Sequence, residues 1–224
     1  YMSNWSSYIK DFVSYLKIEK GLSENSILAY LNDVKKLQDF ASSLSLDPKV
    51  ITYHHLQQFV AELYDLGLSA RSQSRIISGI KQFFQFLLLE DEIAVDPTTL
   101  LETPKIGRKL PEVLTVEEVD ALIDAIDLSK PEGHRNKAIL ETLYSCGLRV
   151  SELVNLQFEQ LFFNEGFIRV IGKGNKQRLV PVSPSVEKEI GIYTSSIRNH
   201  MKIQNGHDSF VFLNRRGAQL TRVM

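Results

Sequence analysis

The sequence is poor in the residues that staple or metallate a fold. Among 224 residues there is one cysteine, Cys146, one tryptophan and five histidines. A lone cysteine excludes an internal disulfide and any cysteine-rich zinc site, and suits a reducing cytoplasm. Read simply, Cys146 is a small buried apolar residue. His54, His55, His134, His200 and His207 form no ligand pattern with carboxylates, so no metal site is expected. No apolar run approaches the ~20 residues needed to cross a bilayer. Tyr1-Met2-Ser3-Asn4-Trp5 lacks a signal-peptide core, and Met2 reads as a natural start with Tyr1 foreign to it. The expectation is a cytoplasmic protein without membrane contact.

An excess of one charge is also missing. Lys and Arg total 26 against 27 Asp and Glu, a net charge of -1, which does not announce a nucleic-acid binder. The distribution says more. From Arg169 to Arg178 stand Arg169, Lys173, Lys176 and Arg178 with no acid between them, and from Leu68 to Leu89 stand Arg71, Arg75 and Lys81. Acids gather at Glu112, Glu117, Glu118, Asp120, Asp124 and Asp127. Such segregation permits a basic face on a neutral protein. Hydrophobic residues at 43% make the chain globular, and its length allows one large or two small cores.

Helical spacing opens the chain: Trp5, Tyr8, Ile9, Phe12, Val13 and Leu16 recur as one face, and Gly21 ends that helix. Ser23 is placed to cap a second, with Ile27, Leu28, Leu31, Val34, Leu37, Phe40 and Ala41 as its stripe. Thr52 caps a third, Leu56, Phe59, Val60 and Leu63 facing inward, and Gly67 closes it. Ser69 caps a fourth, running through Ile76, Ile77, Ile80, Phe83, Phe84, Leu87 and Leu88. Short joints make these a compact four-helix domain. The first half of the fourth helix, Ala70 to Arg75, offers Arg, Ser and Gln away from the stripe. It reads either as an ordinary solvated face or as a helix for a DNA groove. Thr103 to Pro111, with two prolines, a glycine and three basic residues, is aperiodic and reads as a linker, either a plain connector or one that runs along a DNA backbone.

A second domain opens with the capping box Thr115-Val116-Glu117-Glu118, with Leu114 and Val119 as a hydrophobic staple and Leu122, Ile123 and Ile126 on the helix that follows. Another helix is expected over about Arg135–Ser145, stopped by Gly147. Arg149 follows, and Ser151-Glu152-Leu153-Val154 starts the next helix. Strand-like runs at Leu161–Phe163, Phe167–Ile171 and Arg178–Val182 predict a small antiparallel sheet, with a six-residue tip from Gly172 to Gln177. Ser183-Pro184 begins a helix to about His200, Ser209–Leu213 reads as a further strand, and Arg215-Arg216-Gly217 as a turn.

Two stretches carry chemistry: Cys146-Gly147-Leu148-Arg149-Val150-Ser151-Glu152-Leu153 and Gly172-Lys173-Gly174-Asn175-Lys176. An arginine fork holds two phosphate oxygens, and the N-H groups where a helix begins favour an anion beside it. Glu152, three residues on, faces Arg149 as an ion-pair partner, which alone would read as a structural salt bridge. A lysine on a hairpin tip can give a proton to a leaving oxygen. Lys176 and Arg178 read as phosphate contacts, and Lys176 competes with Lys173 for the acid's role.

G-L-R-V-S-E-L, followed 24 residues after its arginine by the lysine of V-I-G-K-G-N-K-x-R, resembles the tyrosine recombinase family, its Xer branch in particular. The resemblance implies a mainly α chain: an N-terminal four-helix DNA-binding (SAM-like) domain over 1–103, a linker over 104–111, and an α+β catalytic domain with a small antiparallel sheet over 112–224. It implies Arg149 and Lys173 as catalytic residues and Glu152 as their support. Arg71 and Arg75 become DNA contacts, with Lys35 and Lys36 weaker candidates, and the two domains close around a duplex as a clamp. The reaction implied is site-specific recombination. A tyrosine hydroxyl attacks a phosphodiester, leaving a 3'-phosphotyrosine and a free 5'-hydroxyl, with neither metal nor cofactor. The Xer-like motifs lean to chromosome dimer resolution over integration of a mobile element. Partners would be a duplex recombination site and further protomers, homo- or heteromeric, in a tetramer; a DNA translocase stays open.

The family pattern also has H-x-x-R, a later histidine or tryptophan, and the tyrosine nucleophile. None of the five histidines is followed three residues on by arginine, and Tyr1, Tyr8, Tyr15, Tyr30, Tyr53, Tyr64, Tyr144 and Tyr193 all precede the nucleophile's place. The resemblance thus covers the first domain and about two-thirds of the second, and a chain incomplete at its C-terminus, binding DNA without cleaving it, is expected. The alternative is a non-enzymatic DNA-binding module that competes for recombination sites.

Overall fold

The structure, a computed structural model, describes residues 5–107 and 110–223, the Lys173 side chain excepted. The readings made of Tyr1 and Met2, and those of Arg108 and Lys109 in the linker, lie outside the described residues. The chain divides into two compact units, Tyr1–Leu110 and Pro111–Met224.

The first unit is built from α1 (Trp5–Ile18), α2 (Glu24–Ser43), α3 (Tyr53–Asp65) and α4 (Ala70–Leu89). Each of the last three starts at a residue whose side chain accepts from the third residue on: Ser23 from the Ser26 N-H, Thr52 from His55, Ser69 from Ser72. Gly21 and Gly67 take positive φ after α1 and α3, where the chain reverses without a Cβ penalty. The apolar faces meet around Phe12, whose ring lies edge-on to Phe83 at 5.3 Å, with Trp5 stacked on Phe83 at 5.9 Å. Burying such rings stabilises by about 2–3 kcal/mol each. Trp5 keeps its polar end satisfied by donating Nε1-H to the Leu46 carbonyl at 3.0 Å. Two residues of the expected stripes face water instead: Leu28 and Leu88 lie at the stripe edges and are exposed. Asp33 takes a buried place on α2 that periodicity would give to an apolar residue.

The second unit holds α5 (Val116–Asp124), α6 (Pro131–Cys146), α7 (Val150–Val154) and α8 (Pro184–Ser196), with β1 (Leu161–Phe162), β2 (Phe167–Ile171) and β3 (Gln177–Pro181). The sheet is antiparallel in the order β1-β2-β3, and its register pairs Val170 with Arg178 and Arg169 with Leu179. Ile168 and Val170 point into a core with Val186, Ile190, Tyr193 and Phe212. The Tyr193 ring stacks on Phe212 at 5.9 Å, and its hydroxyl accepts the Leu213 N-H at 3.2 Å.

Several boundaries differ from expectation. α5 ends at Asp124, before Ile126, and Leu114 and Leu122 are exposed. α6 begins at Pro131, four residues before Arg135, because proline at a helix start lacks only an N-H that has no partner there. α8 ends at Ser196, and a 3-10 turn covers Arg198–His200. Ser209–Leu213 is not a strand of the sheet: it makes isolated bridges, Phe210 to Gln157 and Leu213 to Gln219. Its backbone pairs briefly with residues 156–158, the Ser209 carbonyl accepting the Phe158 N-H and the Val211 N-H donating to the Leu156 carbonyl. The buried Arg198 guanidinium donates to the Phe210 carbonyl at 2.9 and 3.2 Å and to the Asp208 carbonyl at 2.7 Å.

Candidate active site

α6 ends at Gly147, whose φ of 57° and ψ of 36° lie in the left-handed region that glycine adopts without strain. The chain turns there, buries Leu148, and restarts as α7 with Arg149 at the capping position. Glu152, three residues into α7, folds back on that start. Its Oε2 accepts the Arg149 backbone N-H at 2.8 Å, and its Oε1 accepts Arg149 Nη1 at 2.9 Å. The ion pair read from the spacing is therefore present. The Arg149 side chain remains 68% exposed while that of Glu152 is 2% exposed. One edge of the guanidinium is tethered and the rest faces solvent, an arrangement able to hold a phosphate oxygen.

A third residue joins them. Arg178 of β3 grips the same carboxylate with both terminal nitrogens, Nη1 to Oε1 at 2.6 Å and Nη2 to Oε2 at 2.9 Å. The Arg178 guanidinium, then the Arg149 backbone and side chain, hold the Glu152 carboxyl down to about 2 against the opposing effect of burial. The same contact pushes Arg178 upward. Arg178 was read as a phosphate contact; here its fork is occupied by Glu152. A signal for this existed. Arg178 shares strand parity with Val180 and Val182, so a period of two turns it toward the core.

The hairpin between β2 and β3 presents Lys173 to Asn175 as a 3-10 turn, with Gly174 and Asn175 at positive φ. Its neck is closed by the Gly172 N-H donating to the Lys176 carbonyl at 2.8 Å. Lys176 is exposed. The Lys173 side chain lies outside what the structure describes. Tyr193 is fully buried, its hydroxyl pushed up by burial, and it serves the core; Tyr144 stands exposed on α6.

In the first unit, Arg71 is exposed on the first turn of α4, and Arg75 is exposed just over one turn further along the same face. Arg75 Nη1 donates to Asp33 Oδ2 at 2.7 Å while half of its side chain stays exposed. Gln73, expected on the polar face, is buried, and its Nε2 donates to the Leu68 carbonyl at 2.8 Å. Lys35 and Lys36 are exposed on α2. Among the described residues no three His, Cys, Asp or Glu side chains cluster as metal ligands, and no helix is long and apolar enough to cross a membrane.

Comparison with known proteins decides the family. Residues 112–223 match the phage integrase family, and residues 9–91 match the phage integrase N-terminal SAM-like domain. This chain is a phage integrase family member. Such proteins are tyrosine recombinases, which cut and rejoin DNA at specific sites. The chain is similar to tyrosine recombinase XerD of Staphylococcus haemolyticus, with 40% identity over 215 residues covering 96% of this chain and 72% of the relative. XerD of Staphylococcus aureus is 41% identical over 215 residues, with the same 96% and 72% coverage. Two solved integrase-family structures share the fold. XerH bound to its difH substrate before cleavage gives a TM-score of 0.74 at 19% identity, covering 97% of this chain and 75% of that one. A lambda integrase dimer bound to a COC' core site gives 0.74 at 16% identity, covering 97% and 73%.

Proposed function

We propose that this chain is the DNA-gripping and phosphate-activating part of an Xer-type recombinase that resolves chromosome dimers. The observation behind this reading is the tethered, outward-facing guanidinium of Arg149, held on a buried carboxylate beside a lysine-bearing hairpin. Arg149 binds a non-bridging oxygen of the scissile phosphate and stabilises the charge that builds as a tyrosine oxygen bonds to phosphorus. The bond from phosphorus to the 5'-oxygen breaks, and Lys173 supplies the proton that oxygen needs, leaving a 3'-phosphotyrosine and a 5'-hydroxyl. Glu152 orients Arg149. Arg71, Arg75 and Lys176 contact DNA phosphates, which set position rather than sequence. The nucleophile is none of the tyrosines of this sequence, so residues 1–224 alone bind DNA and do not cleave it. The working assembly is a tetramer on two duplex sites.

Salt titration of binding to a duplex selected from a random-sequence library tests the DNA reading: affinity must fall steeply between low and moderate salt. Salt-insensitive or absent binding would overturn it. Binding without cleavage by the whole natural protein would leave a DNA-binding module that competes for recombination sites.

A further inference from the structure

Burial alternates along β3: Arg178 and Val180 are half-buried, while Gln177, Leu179 and Pro181 are exposed. The register partner of Arg178 is Val170, itself a core residue. Arg178 therefore projects from the core-facing side of the hairpin. There its two terminal nitrogens meet the two oxygens of Glu152, and Arg149 supplies one further donor to each oxygen. Four donors fill the four lone-pair positions of the carboxylate, which leaves it one orientation. Gly172 is packed against the same pair. A Cβ at that position would stand 3.2 Å from Glu152 Oε1, tighter than most Cβ contacts, and 3.4 Å from Arg178 Nη1, an ordinary van der Waals distance. Gly172 is also the neck of the tip that bears Lys173, through its N-H to the Lys176 carbonyl. One guanidinium-carboxylate pair thus borders both the arginine and the base of the lysine hairpin.

We propose that Arg178 is a positioning residue for strand cleavage, acting through Glu152 on the Arg149 guanidinium and through Gly172 on the base of the Lys173 hairpin, and that it does not grip a DNA phosphate. The proposal rests on the recombinase reading above. The two N-H groups that face the buried carboxylate are committed to it, although 39% of the side chain is exposed and three further N-H groups remain. Transferring the committed pair to a phosphate would strip half the donors from a carboxyl removed from water, which strongly disfavours the exchange. Lysine in its place keeps the charge and loses the fork.

The test uses the whole natural protein and a duplex selected from a random-sequence library, nicked so that the cleaved covalent complex is trapped. Wild type is compared with R178A, R178K, E152Q and the double variant E152Q/R178A. Dissociation constants are measured over a salt series, and single-turnover cleavage is measured at saturating DNA. R178A is expected to bind within about twofold of wild type with the same salt slope, yet to cleave about 100-fold more slowly, the scale of a misplaced reacting group. R178K recovers part of that rate. The double variant is no slower than the slower single, because both changes break one relay. A salt slope reduced by about one with the saturating rate intact would make Arg178 a phosphate contact and overturn the proposal. So would an unchanged cleavage rate in R178A, or losses that multiply in the double variant. If R178A fails to fold, R178K decides alone, and it must lose rate at saturating DNA without losing affinity. A wild-type protein that neither binds nor cleaves DNA would instead sink the recombinase reading itself.

Discussion

Asp33 and Arg75 meet where α2 crosses α4: Arg75 Nη1 donates to Asp33 Oδ2 at 2.7 Å, while Oδ1 of the same carboxyl is buried with no hydrogen-bond partner. Burial raises the Asp33 carboxyl, and Arg75 only partly opposes it. The folded state thus holds this proton more tightly than the unfolded state. Stability is lost as pH rises through the ordinary carboxylate range and stays lower above it. Asp33→Asn, which keeps an acceptor for Arg75, should therefore be more stable than wild type at pH 7. The two should converge near pH 3, about where both states of the wild-type carboxyl are protonated. Urea denaturation at the two pH values checks this, and a less stable variant at pH 7 would mean the ion pair outweighs the burial of its charge.

Gly79 makes that crossing close. A Cβ there would lie 2.7 Å from Asp33 Oδ2 and 2.8 Å from Asp33 Cβ. Gly79→Ala should destabilise the first unit by about 1–3 kcal/mol, despite alanine's better helix propensity. Chemical denaturation measures it; a stabilised variant would show that the helices part at little cost.

Glu152 has the opposite sign. Its carboxyl is held at about 2 in the folded state, below the ordinary value. Its contribution is complete at neutral pH and lost as pH falls from about 4 toward 2, on the order of 2–3 kcal/mol. Glu152→Gln should be less stable than wild type at pH 7 and show a shallower loss below pH 4. Parallel acid-denaturation curves for the two proteins would rule this out.

Arg149→Ala in the whole natural protein should abolish cleavage and leave duplex binding largely intact. Filter binding and covalent-complex trapping separate the two, and an equal loss of binding would make Arg149 a docking contact.

Lys173→Ala should impair cleavage of an ordinary phosphodiester but spare a substrate whose 5'-leaving atom is sulfur, which departs without a proton. No recovery on the sulfur substrate would remove the general-acid role.

The local signals were legible because each is decided within a few residues. Ser23, Thr52, Ser69 and Thr115 cap where their side chains reach the third residue on, and Gly147 stops α6 where only a left-handed turn fits. What stayed hidden depends on partners far along the chain. Asp33 and Arg75 are 42 residues apart, and nothing near Asp33 marks it as buried. The one hint was Gly79, a residue without a side chain in the middle of the α4 stripe. Glu152 and Arg178 are 26 residues apart and meet only through the hairpin register. Ser209–Leu213 had the composition of a strand, but its carbonyls are met by groups far along the chain: Ser209 by the Phe158 N-H, Phe210 by Arg198 and Leu213 by Arg135.

The closed neck at Gly172 and Lys176 separates two kinds of change open to evolution or an engineer. Residues added at the tip lengthen its reach and leave the Arg178–Glu152 pairing undisturbed, since Arg178 is set by its register with Val170. A single deletion inside β3 does the reverse, turning Leu179 inward to face a charged carboxylate and Arg178 out into water. Variation among proteins of this design should therefore collect in the length of the tip and be nearly forbidden in the five residues that follow it.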